Sequence, residues 1–273
     1  MGQRRACGGQ GRDHHGRGAI TTKDQTSAAP ATAVERLAHQ LSGRDPGDPL
    51  FQELVEWLAG SARFRAFAEA HRDKIRKKVR GAADPDSLRD VRAELHTARL
   101  LLADRRIELA FEAYGSGKTG PDFTITFRGA RSFNLEVTRL RRLPDATGLG
   151  ASLLAKLRQL PPSTPNAVLL ATDAESATAL DVDAASRMLR ARADAKDERF
   201  FSARGFDGAR GFYERYLRLS AVFVSAEGAD ADARATIWVN RSARIAMPEP
   251  AARASLRCLG VDLGAAPRLH SEP

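Results

Sequence analysis

Between Pro121 and Leu140 the chain alternates apolar and polar residues with a period of two. Phe123, Ile125 and Phe127 are interleaved with Asp122, Thr124 and Thr126, and Phe133, Leu135 and Val137 with Asn134, Glu136 and Thr138. That period marks strands with one buried face. Three strands are predicted here, over about 106–113, 121–127 and 132–140, separated by Gly-containing turns. If the apolar faces share one core, cross-strand neighbours match in parity, so Asp122 lies opposite or diagonal to Glu136 on the polar face. The same parity demands an odd-numbered loop around Arg128, Gly129 and Ala130, such as a three-residue turn with a bulge.

Helical spacing governs the segment before the strands. Val34, Leu37 and Leu41, then Leu50, Leu54, Trp57 and Leu58, then Phe64, Phe67, Ile75 and Val79 predict three helices, broken near 43–48 and near Gly60. The third, from Ala62 to Arg80, carries Arg63, Arg65, Arg72, Lys74, Arg76, Lys77, Lys78 and Arg80 around a narrow apolar stripe. It reads as a solvated basic face or as a helix that tracks phosphates. Asp84-Pro85-Asp86 leads into a further helix over about 87–104, with Leu88, Val91, Leu95, Ala98 and Leu102 on its apolar side. Glu94 borders that stripe, and a carboxylate at a core boundary needs a reason.

After the strands come a helix over about 149–160, ended by Pro161-Pro162, and a buried strand at 167–171. Helices near 174–193 and 209–219 follow, with strands at 221–225 and 236–240. The mixture predicts an α/β sheet with helices on both faces. Four regions are expected: a disordered basic tail over 1–30, a helical N-terminal extension over 31–84, the α/β domain over 85–265, and a short tail over 266–273.

Composition narrows the classes. A 273-residue chain with 42% hydrophobic residues can bury a sizeable core. It has no run of about 18 apolar residues, and its polar N-terminus lacks the apolar stretch of a secretion signal, so no membrane partner and a soluble cytoplasmic setting are expected. Two cysteines, Cys7 and Cys258, support neither a disulfide framework nor a cysteine zinc site. A formal charge of +9 fits a nucleic-acid partner, although a GC-rich coding sequence, which favours arginine and alanine, would give the same balance.

Two acids as close as Asp122 and Glu136 repel unless something positive lies between them. A hard cation with oxygen ligands, Mg²⁺ above all, answers this; a solvated face carrying two acids is the plainer alternative. Other signals are rejected. Gly115-Ser116-Gly117-Lys118-Thr119 ends like a P-loop, but Glu112 stands where the first glycine belongs and a strand follows instead of a helix. His39, His71 and His96 lack partners at metal spacing, and His14 and His15 lie in the tail. Ser116 and Ser132 have no neighbouring His–acid pair. Arg204, Arg210, Arg215 and Arg218 flank Phe206, Phe212, Tyr213 and Tyr216, whose helical spacing reads as core before it reads as a nucleic-acid surface.

Glu94 in a helix, Pro121-Asp122 opening one strand and Glu136-Val137-Thr138 in its partner resemble the PD-(D/E)xK nuclease superfamily over roughly 87–173. Similarity to bacterial proteins of this type extends to Ile237-Trp238-Val239-Asn240 and adds no function. The resemblance implies a restriction-endonuclease-like core of helix, three antiparallel strands, helix and strand. It implies Mg²⁺ (or Mn²⁺) held by Asp122, Glu136 and Glu94, and hydrolysis of phosphodiester bonds, with DNA the expected substrate. The family's lysine belongs at Thr138. By the same resemblance Lys156, in the following helix, is the first candidate to replace it; Arg139 should point to the other face, and Lys118 is a weaker choice. Otherwise metal-activated water suffices, with Thr138 orienting it, or the chain is an impaired nuclease that binds nucleic acid or protein.

Overall fold

The computed structural model describes residues 32–114, 120–129, 131–226 and 235–260. Four short helices come first: α1 Ala33–Ser42, α2 Pro49–Gly60, α3 Ala62–Ala70 and α4 Arg72–Gly81. The first three begin at a capping side chain. Thr32 and Glu35 form a capping box on α1, and Asp48 and Ser61 cap α2 and α3 with their side chains. Gly43, at φ 63°, closes α1 in the left-handed region that other residues avoid.

The single helix expected from Ala62 to Arg80 is two. His71 leaves helical geometry, and its ring packs between Phe67 and Phe111, with centroids 4.8 and 5.7 Å away. The chain turns there, so that α4 packs against α1 and buries Ile75 and Val79. The basic face is therefore not uniformly solvated. Arg63 donates to the carbonyls of Leu102, Asp104 and Ile107, and Lys74 to those of Phe111 and Glu112. Arg72, Lys77 and Arg80 are the exposed cations of α4.

Next come α5 Pro85–Leu101, β1 Ile107–Phe111, β2 Phe123–Phe127, β3 Phe133–Arg139, α6 Ala146–Leu157 and β4 Asn166–Thr172. The chain continues through α7 Ala174–Ala179, α8 Val182–Asp194, α9 Glu198–Ser202 and α10 Gly208–Tyr216 to β5 Leu219–Ala226, β6 Thr236–Val239 and α11 Glu249–Cys258. The last helix is absent from the sequence expectation, because its buried face is mostly alanine and serine: Ala251, Ala252, Ala254, Ser255 and Leu256. Residues 1–31, 115–119 and 261–273 lie outside the described residues, and with them the expected tails, His14, His15, Cys7 and Lys118.

Among the described residues one sheet holds six strands in chain order. β1, β2 and β3 are antiparallel, β3, β4 and β5 parallel, and β6 antiparallel to β5. Odd positions of β2 and β3 join a core with α1 to α5 and α11, which includes Phe123, Ile125, Phe133 and Leu135. On the opposite face Val168, Leu170, Val222 and Val224 pack with α6, α8, α9 and α10. Helices on both faces of an α/β sheet are thus present, and the described residues from Thr32 onward belong to one compact unit. Among them no helix is long and apolar enough to cross a membrane. Phe206, Phe212 and Tyr216 are buried, as their spacing predicts.

A polar ladder crosses the sheet beneath the second core. Thr124 donates to Asn134 at 2.9 Å, and Asn134 to Asn166 at 3.0 Å. Asn166, fully buried, donates in turn to the carbonyls of Pro161, Thr164 and Arg218. It ties the loop before β4 to the start of β5. Asn166→Leu takes the side-chain donor from those acceptors and removes one of the two acceptors of Asn134 Nδ2, leaving Tyr114, and urea unfolding should show a loss of about 3 kcal/mol.

Candidate functional site

Register first fixes the carboxylates. Phe123 pairs with Leu135 and Thr124 with Asn134, so one residue further along Asp122 faces Glu136. Five residues, an odd number, separate β2 from β3, and Arg128 and Gly129 both have positive φ at the tip. Asp122 is anchored across the hairpin, its Oδ2 accepting from the Val137 amide at 2.9 Å.

Lys78 of α4 draws in three acids from three elements. Its Nζ contacts Glu94 of α5, Asp122 Oδ1 at 3.1 Å and Glu112 Oε1 at 3.3 Å. Glu112 directly follows β1 with φ 46°, a left-handed backbone uncommon outside glycine. Its amide donates to the Asp122 carbonyl at 2.8 Å. From the other helix layer Lys156 of α6 donates to Glu136 Oε1 at 2.7 Å. Glu136 is 4% exposed, and its Oε2 has no hydrogen-bond partner. Thr138 Oγ1 is buried without a partner as well.

Glu94, Asp122, Glu136 and Lys156, singled out in the sequence, thus belong to one charged cluster, with Thr138 two residues along β3. Arg139 points away, to Asp86 and Asp90 of α5. Lys78 and Glu112 were not anticipated. Lys78 is hidden in a run of basic residues, and Glu112 lies in the left-handed turn after β1, which periodicity does not reveal. Among the histidines, His96 packs on Trp57, and His71 packs on Phe67 and on Phe111, the ring that Lys78 Nζ also approaches.

Four carboxyls with two ammonium groups leave an excess of negative charge if all ionise. Burial, then the Asp122 charge, pushes the Glu94 carboxyl up to about 8 despite Lys78. Burial and Asp122 likewise raise Glu136 to about 7 against Lys156. Burial works against the Lys78 ammonium, yet Glu94, Asp122 and Glu112 outweigh it and hold the group above the ordinary lysine range.

The donor set is all oxygen, the chemistry that Mg²⁺ or Mn²⁺ takes, and the orphaned Glu136 Oε2 offers a free acceptor. As the side chains stand, no group of three His, Cys, Asp or Glu among the described residues is arranged to hold a metal. Three of the acids surround an ammonium instead, with Asp122 and Glu112 oxygens 3.1 and 3.3 Å from Lys78 Nζ. No family model, curated protein or solved structure matches the chain.

The raised carboxyls set a pH dependence. Folded Glu94 and Glu136 retain protons that their unfolded counterparts have lost, so stability falls as pH rises toward 8. His71, and His96 at about 4, have lowered values and make stability rise with pH, but only up to about 6.5. Urea unfolding in EDTA should therefore show stability declining from about pH 6.5 to 8, and declining less in Glu94→Gln. An equal slope in both proteins would contradict the assignment.

Proposed function

We propose that the protein is a Mg²⁺- or Mn²⁺-dependent nuclease with a restriction-endonuclease-like core, hydrolysing phosphodiester bonds in DNA. The observation that carries this reading is the meeting of Glu94, Asp122, Glu136 and Lys156 in one cluster on the element order helix, three antiparallel strands, helix, strand. No sequence motif alone demands that meeting. Asp122, Glu136 and Glu94 are the metal ligands, the first tied to the hairpin backbone through Val137.

A bound divalent ion supplies a Lewis acid for the phosphate and lowers the pKa of water. The chain supplies the rest. Lys156 delivers from α6 the positive charge that the resembling family carries at Thr138, where it offsets charge developing on the phosphate oxygens. Thr138, with its hydroxyl unengaged, orients the attacking water. Hydrolysis forms one P–O bond to water and breaks the bond to the leaving sugar oxygen, which takes up a proton. Exposed Arg72, Lys77 and Arg80 on α4 contact the backbone phosphates without reading bases.

Plasmid and single-stranded DNA incubated with Mg²⁺ or Mn²⁺ should be cut, and EDTA should stop it. Asp122→Ala and Glu136→Ala should each lower the rate about 100-fold or more, and Lys156→Ala comparably, with partial recovery in Lys156→Arg. Thr138 in the lysine's position favours one other reading, a non-catalytic nucleic-acid-binding protein; DNA affinity without cleavage would establish that. Absence of both would overturn the proposal.

Replacing Lys77 and Arg80 together by glutamine should weaken DNA binding and reduce its salt dependence by about two counterions in a fluorescence titration. An unchanged slope would remove α4 from the interface.

A further inference from the structure

Lys78 has no place in the catalytic scheme above, yet it makes more charged contacts than any other side chain in the cluster. Its ammonium touches Glu94, Asp122 and Glu112, which come from α5, the residue before β2 and the residue after β1. Its stem runs beside Phe111, with Nζ 5.1 Å from the ring centroid. We propose that Lys78 is a resident counter-ion competing with the divalent cation for Asp122 and Glu94, so that metal binding requires its ammonium to swing out.

Three observations converge on competition. First, the ammonium already occupies the point toward which Glu94 and Asp122 direct their oxygens, and a divalent cation beside it would meet strong repulsion. Second, the acids that would hold a cation are already paired to the ammonium, Asp122 Oδ1 at 3.1 Å and Glu112 Oε1 at 3.3 Å. Third, the exit is short. The Lys78 side chain keeps 24% exposure, and four flexible methylenes let Nζ reach solvent while Ile75 and Val79 keep α4 in the core. The exchange is a change of rotamer, with α4 fixed. Glu112, held by its own backbone bond to Asp122, remains beside the vacated position as a further oxygen donor.

This inference rests on the metal-dependent reading, and calorimetric titration of the full chain with Mn²⁺ separates the two. An ammonium that fills the position about nine-tenths of the time weakens apparent metal affinity about tenfold. Lys78→Met should therefore bind Mn²⁺ about tenfold more tightly than wild type and gain more thermal stability from it, whereas Lys78→Arg should not. Equal affinity in wild type and Lys78→Met would overturn the competition alone. No binding by any of the three would overturn both readings. Should Lys78→Met not fold, the wild-type protein decides by ¹⁵N NMR of the Lys78 ammonium, assigned by its absence in Lys78→Arg. The signal should shift and lose protection from exchange as Mg²⁺ saturates; a signal unchanged by saturating Mg²⁺ would overturn the proposal.

Discussion

Four carboxyls, Glu94, Glu112, Asp122 and Glu136, lie largely out of water between the two helix layers. Their mutual repulsion is the constraint to which the neighbouring structure answers. An unpaired buried charge is costly, and acids this close raise one another's affinity for protons. Lysines come in from both sides, Lys78 from the layer that packs on one face of the sheet and Lys156 from the layer on the other. The compensation is incomplete: Glu94 and Glu136 retain raised pKa values, and one oxygen of Glu136 stays unpaired. Carboxyls whose pKa values are displaced by burial and by one another recur at functional sites and in structural ion-pair networks alike.

The four N-terminal helices have a structural as well as an electrostatic place in this arrangement. They share one apolar core with α5 and the odd face of β2 and β3, and Arg63 closes the end of α5 through three backbone carbonyls. The turn at His71 sets α4 at the angle that carries Lys74 and Lys78 to the end of β1. What reads as an appendage in the sequence thus contributes a side chain to the central cluster.

Much of this was legible in the chain. The period-two alternation gave the hairpin, its parity and the pairing of Asp122 with Glu136, because a one-residue slip would expose every phenylalanine. Glu94 announced itself as a carboxylate on an apolar border. Lys156 enters only through the resemblance to the nuclease superfamily, whose lysine is replaced here by Thr138. The rest depended on tertiary geometry. The kink at His71 follows from ring packing against Phe111, some 40 residues away in sequence. Lys78 could not be told from seven other basic residues on the same stretch, and α11 hides its buried face behind alanines. Glu112, read only as a misplaced residue in a false P-loop, acquires its contact through a left-handed backbone that no periodicity encodes.

Under the proposed function these acids enclose a divalent cation once Lys78 has withdrawn. Anomalous diffraction from crystals soaked in Mn²⁺ reads this out. A single strong peak is expected, bounded by Asp122, Glu94 and Glu136, with the Lys78 ammonium turned toward solvent. Saturating Mn²⁺ with no peak there, and Lys78 still seated among Glu94, Glu112 and Asp122, would contradict it.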